Sequence, residues 1–294
     1  MPEPNHAPYQ DDLLETQPPN FTAKEVKDIA NRLYGLTGKL SPLDSERDQN
    51  FRIKTKTGNQ FVIKIANNAE TPAMIDMQIK ALEHITQTNP DLSVPEVLFS
   101  RNGLAIEQVQ AQNGAKHGFR ILTYLPGIPP KDDPTELALL RPMGASLAQL
   151  AQSLRGFFHS GANYELLWDL KHTSKLRQYL PHITDANHHE LASYFLDRFD
   201  QNVLPQIPKL RAQILHNDLT PDNIIVAEND PGCIVGMIDF GDMTHTLLII
   251  DLATTIAQML RGHADLLGVA VEIIAGYHEI NPLEDAELRI LYDL

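Results

Sequence analysis

Two stretches of this sequence carry residue types whose spacing could do chemistry. In Ile214-Leu-His-Asn-Asp-Leu-Thr-Pro-Asp-Asn-Ile-Ile-Val, His216, Asp218 and Asn223 fit H-x-D-x-x-x-x-N. Sixteen residues beyond Asn223, Ile238-Asp-Phe-Gly-Asp sets a second carboxylate, Asp239, after the apolar run Cys233-Ile-Val-Gly-Met-Ile. Phosphoryl transfer needs a carboxylate beside the acceptor hydroxyl, to orient it and take its proton, and hard oxygen ligands for magnesium a few residues away. Asp218 fits the first need. Asn223 and Asp239 fit the second, with Asp239 at the end of a rigid strand. Either stretch alone is a weak signal; the pair, in this order and joined by a strand-like run, is a strong one. The bland alternative is two surface loops rich in Asp and Asn.

A nucleotide brought to such carboxylates also needs a cation. Lys64, in Phe61-Val-Ile-Lys-Ile, matches the strand lysine of the kinase pattern V-A-I-K. A lone strand lysine is usually a solvent-facing one, but this one lies upstream of both other stretches. In protein kinases a helix glutamate holds that lysine. Here the following helix offers Asp76, Gln78 and Glu83, and the family pattern puts Gln78 at the partner position, a neutral hydrogen bond in place of an ion pair. No glycine-rich phosphate loop stands between the first strands. Leu43-Asp-Ser-Glu-Arg-Asp-Gln-Asn takes its place, with Ser45, Arg47, Gln49 and Asn50 as candidate donors to phosphate, or as an ordinary polar turn. Leu122-Thr-Tyr-Leu-Pro-Gly stands where a hinge would meet the purine through its backbone.

The elements that must position these residues can be read from periodicity. Thr22 and AKEVKDIANRLYG predict a capped amphipathic helix stopped by Gly35. Phe51-Arg-Ile-Lys, the turn Thr57-Gly58-Asn59 and Phe61-Val-Ile-Lys-Ile-Ala predict a hairpin. Residues 72–88 carry an apolar stripe at helical spacing (Met74, Met77, Ala81, Leu82, Ile85), and further strands are expected near 104–109 and 119–124. Leu125-Pro-Gly-Ile-Pro-Pro then breaks regular structure. Beyond it, helices are expected at about 135–160, 171–182, 187–204 and 251–279, around a compact loop and strand region from Ile214 to Asp242. The expectation is α+β: a leader (1–20), read as a flexible arm unless Leu13 and Leu14 dock, a small β-rich nucleotide-binding lobe (21–125), and a larger helical lobe (126–294) holding the catalytic loop, metal site and acceptor pocket.

Composition narrows the function further. A net charge of -14 argues against nonspecific binding to nucleic acid or an anionic membrane, so anionic ligands must be held locally. Cys233 is the single cysteine, which excludes an intrachain disulfide framework and a cysteine-based zinc site and suits a reducing cytoplasm. Residues 1–20 lack a signal-peptide pattern, and no run approaches the roughly eighteen apolar residues of a membrane span.

HNDLTPDN and IDFGD resemble the HGDLHxxN and IDxxD signatures of the aminoglycoside phosphotransferase and choline kinase superfamily, over roughly residues 25–294. The resemblance implies a bilobal protein-kinase-like fold, with Asp218 as catalytic base, Asn223 and Asp239 as Mg2+ ligands and Lys64 as the phosphate-contacting lysine. It makes His216 structural beneath the catalytic loop, and has Asp251 brace that lobe. SERDQNF, YLPG and IDFGDM with His245 nearby are most similar to the hydroxylysine kinase branch. That branch implies ATP or GTP as phosphoryl donor and a small hydroxylated amine or amino acid as acceptor. It includes bacterial kinases fused to a class III aminotransferase, and such a downstream partner domain would suit a chain that ends within the helical run ELRILYDL.

Other signals carry less. His182, His188 and His189 lack a second cluster to complete a tetrahedral metal site and read as solvated helix ends. Trp168 is either core or an acceptor-pocket wall. Asp242 and Asp222 are candidate partners for a substrate ammonium, or caps of turns. Rival readings are a homoserine, choline or aminoglycoside kinase, a nucleotide-binding regulatory module of kinase shape, and a protein kinase. The last lacks its A-P-E segment and activation loop.

Overall fold

The computed structural model describes residues 16–130 and 137–294; Leu13, Leu14 and most of the expected leader lie outside them. Of that leader, Thr16 is in place, its carbonyl accepting from Asn67 Nδ2 at 3.2 Å. The chain divides into two compact units, one running to Pro126 and including His159–Tyr164, the other made of the rest.

The first unit starts with α1 (Ala23–Tyr34), which has the ends its sequence demands. Thr22 and Glu25 form a reciprocal capping box, and Gly35 closes the helix at φ 71°. Six antiparallel strands follow: β1 (Gly38–Leu43), β2 (Gln49–Thr55), β3 (Gln60–Ile65), β4 (Val97–Leu98), β5 (Glu107–Gln110) and β6 (Lys116–Thr123). The order is β1-β2-β3-β6-β4, with β5 also paired to β6. The β2–β3 hairpin forms where expected, whereas β1 is an addition. Pro42 weakens the strand signal there, and an edge strand tolerates it because one side needs no donor.

Strand alternation gives this sheet two different faces. Phe51, Ile53, Ile63, Ile65, Phe119 and Ile121 pack with Val26, Ile29, Ala30 and Leu33 of α1 in one core. Their neighbours Asn50, Lys64 and Arg120 are register partners across β2, β3 and β6, and so form a polar row on the opposite face. The helix α2 (Pro72–Thr88), capped by Thr71, meets this row, since Gln78 Oε1 accepts from Arg120 at 2.7 Å.

In the second unit, the strand pairs are β7 (Ala212–Leu215) with β10 (Thr244–Leu247), and β8 (Ile224–Ala227) with β9 (Asp230–Met237). Around them lie α3 (Leu140–Ser153), α4 (Ala186–Arg198), α5 (Leu248–Met259), α6 (Leu266–Ile280) and α7 (Asp285–Ile290). The single helix expected at 251–279 is two, parted by a turn with Gly262 at φ 80°. The expected helix at 171–182 winds as a 3-10 helix over Leu170–His182, while α4 runs on into a wider π turn at Phe199–Val203. ELRILYDL stops being helical at Ile290. Among the described residues no helix is long and apolar enough to cross a membrane.

α3 and α6 touch backbone to backbone. A Cβ on Gly144 would sit 2.0 Å from the carbonyl oxygen of Ile273, and one on Gly276 would sit 2.1 Å from that of Arg141. Gly144→Ala must therefore push the helices apart, and overpacking of this kind costs about 1–3 kcal/mol. Denaturant unfolding of the variant should show that loss with an unchanged m-value.

Candidate active site

In the second unit, His216 ties the two chemistry-bearing stretches together. Its Nδ1 accepts from the backbone N–H of Asp218 at 3.3 Å and its Nε2 donates to the carbonyl of Ile238 at 3.0 Å, which assigns a neutral ring. The edge of the ring packs on Phe240, 4.8 Å between centroids. A second tie joins Ile238 N–H to the Asn223 carbonyl at 2.9 Å. The segment holding Asp218 and Asn223 is thus pinned to the strand end that carries Asp239.

The backbone is strained at two points here. Asn217 (φ 65°) and Asp239 (φ 57°) are the non-glycine residues at positive φ among those described. Asn tolerates this left-handed region better than most residues. Asn217 stands where the resembling HGDLH signature has glycine, which adopts the same conformation at no steric cost. Asp251, 2% exposed on α5, holds the strained turn by accepting the Asn217 N–H at 2.6 Å. Thr255, one turn further along α5, donates its hydroxyl to the carbonyl of Leu219 at 2.8 Å. Burial pushes the Asp251 carboxyl up to about 7, against the two backbone donors that favour its charged form.

Asn223 Nδ2 donates to both the carbonyl and Oδ2 of Asp218, at 2.8 Å each. This fixes the plane of the Asp218 carboxylate and turns the other amide atom, Oδ1, away from it. Asp239 is exposed, and its Oδ1 accepts from Gly241 N–H at 3.3 Å. Among the described residues no three His, Cys, Asp or Glu side chains form a metal cage. One carboxylate and one amide oxygen are both hard donors of the kind that would suit Mg2+.

The acceptor candidates separate. Trp168 is half-buried and donates from Nε1 to Asp242 Oδ2 at 3.2 Å, so its polar edge is used. Asp169, beside it, is buried and accepts from Thr246 Oγ1 at 2.7 Å and from Lys171 N at 3.1 Å. His245 is exposed and its carbonyl accepts from Lys171 Nζ. Asp222 is exposed. His182, His188 and His189 are exposed as well, the last two in the first turn of α4.

In the first unit, Lys64 is only 8% exposed. Its Nζ lies 3.9 Å from Asp48 Oδ2, and Arg120 NH2 lies 3.8 Å from the same oxygen. Gln78 is engaged by Arg120. Asn50 lies beside Lys64 in register and is buried, with Oδ1 making no hydrogen bond among the described residues. Ser45 Oγ accepts from Asp48 N–H at 3.2 Å, and Gln49 pairs both ways with the backbone of Phe21 at 2.8 and 2.9 Å. Glu70, just before the Thr71 cap, belongs to the same buried group. Burial and the neighbouring Asp48 push it up to about 7, against Arg120, Lys64 and Arg47. Sequence reasoning singled out none of Asp48, Glu70 and Arg120. The signal for Arg120 was present, as a charge at a strand position whose alternation turns it to the Lys64 face.

A strand lysine in a polar row, an H-x-D-x-x-x-x-N loop and an I-D-F-G-D strand end, on an antiparallel sheet unit and a helical unit, define a protein-kinase-like phosphotransferase. The chain belongs to the phosphotransferase enzyme family, whose model matches residues 39–289; it is an enzyme that acts on hydroxyl groups. Within that family its sequence sides with the hydroxylysine kinases. It is 29% identical to the hydroxylysine kinase of Danio rerio over 93% of this chain and 80% of the relative. It is 27% identical to the homoserine kinase of Gluconacetobacter diazotrophicus, over 87% and 76%. Its fold matches a microcompartment-associated aminopropanol kinase, with TM-score 0.75 at 18% identity over 91% of this chain and 84% of that one. It also matches the amicoumacin kinase hAmiN, with TM-score 0.71 at 19% identity over 93% and 82%.

A carboxyl raised in the folded state stabilises the fold while protonated. The contribution of Asp251 is full below its ordinary value of 3.8 and is lost as pH rises through about 7. Asp251→Asn keeps an acceptor for the Asn217 N–H. Its melting temperature should fall less between pH 5 and 8 than that of the wild type, as scanning calorimetry across that range would show.

Proposed function

We propose that this enzyme transfers the γ-phosphoryl group of ATP or GTP to the hydroxyl of a small amine or amino acid of the hydroxylysine kind, with Mg2+, in the cytoplasm. The observation that supports this reading is the His216 tie, which joins the segment of Asp218 and Asn223 to the strand end just before Asp239. The hydroxylysine kinase relatives support the acceptor class. The homoserine kinase and the aminopropanol kinase, whose names also denote small hydroxylated amines, support it more broadly. The hAmiN structure, in complex with AMP-PNP and Ca2+, supports a nucleotide donor and a divalent cation.

In this mechanism the first unit binds the nucleotide, with Lys64 drawing its phosphates to the polar row. Asn223 Oδ1 and the Asp239 carboxylate would hold Mg2+, which would offset the charge developing on the phosphoryl oxygens. Asp218, its plane fixed by Asn223, accepts a hydrogen bond from the acceptor hydroxyl and takes its proton as the new O–P bond forms. The bond from the γ-phosphorus to the β–γ bridging oxygen breaks in line, and the nucleoside diphosphate leaves with that electron pair. Asp242, oriented by Trp168, is the side chain we assign to the ammonium of the acceptor.

Two substitutions separate these roles. Asp218→Asn should lower kcat by about a hundredfold or more while Mg·nucleotide affinity stays near that of the wild type. Asp239→Ala should remove the magnesium-dependent part of nucleotide binding together with turnover. Calorimetric titration with ATP and GTP, followed by assays with hydroxylysine, homoserine and aminopropanol, would check this. Equal loss of nucleotide affinity in both variants would overturn the assignment.

A further inference from the structure

The buried polar row of the first unit contains more charge than the strand lysine needs, and its anions are in an unexpected place. A kinase strand lysine is held by a carboxylate on the helix packed over it. Here that helix, α2, presents Gln78, which is neutral and bonded to Arg120 through Oε1. Gln78 Nε2 and Arg120 NH1 are buried and make no hydrogen bond among the described residues. Position 78 of the helix is therefore neutral beside two cations, Lys64 and Arg120, that are 8% and 1% exposed. Buried cations need counter-charge close by.

We propose that Asp48 is the positioning residue for Lys64: the carboxylate that kinases carry on the helix has moved to the connection between β1 and β2, and Gln78 with Arg120 fills the place it left. Asp48 is built for this. Its side chain is 9% exposed, and one oxygen, Oδ2, faces both Lys64 Nζ and Arg120 NH2 at under 4 Å. Its other oxygen, Oδ1, is fixed by the backbone N–H of Asn67 at 3.0 Å, immediately after the strand that bears Lys64. Its own N–H is bound to Ser45 Oγ. An anion fixed at both ends in this way sets where the lysine ammonium rests. Glu70, the other acid of the group, has Oε2 buried without a hydrogen bond among the described residues, and burial favours its neutral form.

This inference rests on the reading that Lys64 meets nucleotide phosphates, and the test separates the two. Calorimetric titration with Mg·ATP and Mg·GTP would compare the full-length wild type, Asp48→Asn, and the double variant Asp48→Asn with Gln78→Glu, alongside their melting temperatures. Asp48→Asn should weaken nucleotide binding by about tenfold or more, the factor of one lost charge-assisted contact, and Gln78→Glu should recover most of it by returning the carboxylate to the helix. The melting temperature of Asp48→Asn should fall, because two buried cations lose a carboxylate, so affinities are compared at a temperature where every variant is folded. A merely structural Asp48 would not be rescued from position 78. Wild-type affinity in Asp48→Asn, or no recovery in the double variant, would overturn the proposal while leaving the kinase reading intact. If the wild type binds neither nucleotide, both readings fall. Should Asp48→Asn not fold, Asp48→Glu decides, because displacing the charge by one methylene should weaken binding several-fold at a near-native melting temperature. Unchanged affinity in that variant would count against Asp48.

Discussion

The second unit depends on a backbone turn that would not hold by itself. For Asp218 to leave β7 at the required angle, Asn217 must sit in the left-handed region, at a cost of about 1–2 kcal/mol for a residue with a Cβ. Asp251 offsets this by taking the Asn217 N–H from within the protein, where a hydrogen bond to a carboxylate is stronger than in water. Burying that carboxylate has its own cost, visible in its raised affinity for a proton. Much of the surrounding arrangement serves this one contact. α5 carries Asp251 and Thr255 one turn apart, so a single helix face grips both the start and the middle of the loop.

His216 extends the restraint from the loop to the strand beyond it. A neutral imidazole with one accepting and one donating nitrogen can join two backbone segments that share no strand pairing. Its packing against Phe240 fixes the ring, so the hydrogen bonds need no further support. The Asp218 segment and the strand end before Asp239 are therefore held together in part by His216. The strain at the two positive-φ residues lies at or beside the two carboxylates proposed for phosphoryl transfer.

An acidic chain that handles phosphates must concentrate its cations, and the first unit does so by register. The sheet buries apolar side chains against α1 on one face, which leaves the alternate positions free to line up Asn50, Lys64 and Arg120 on the other. Burial then makes the row sensitive to its counter-charges, since interactions inside the protein are screened far less than those on the surface. The net charge of -14 describes the chain as a whole, whereas Lys64 has the Asp48 carboxylate at 3.9 Å.

The residues proposed to act directly can be picked out in the chain, because bond-making chemistry restricts residue type and spacing at once. Asp218, Asn223, Asp239 and Lys64 stand in short segments whose local structure, a capped loop and two strand ends, follows from alternation and turn residues nearby. The hairpin and α2 were legible for the same reason. Two features were hidden by local signals. Pro42 masked β1, and the apolar stretch from 251 to 279 hid a break at Gly262. Asp48, Glu70 and Arg120 belong to tertiary structure, since they come from three separate stretches and meet Lys64 only through strand register and the turn before α2. No periodicity encodes such a meeting, because an ion pair between distant segments depends on how the backbone folds back, whereas a strand or a cap depends on neighbours within a few residues.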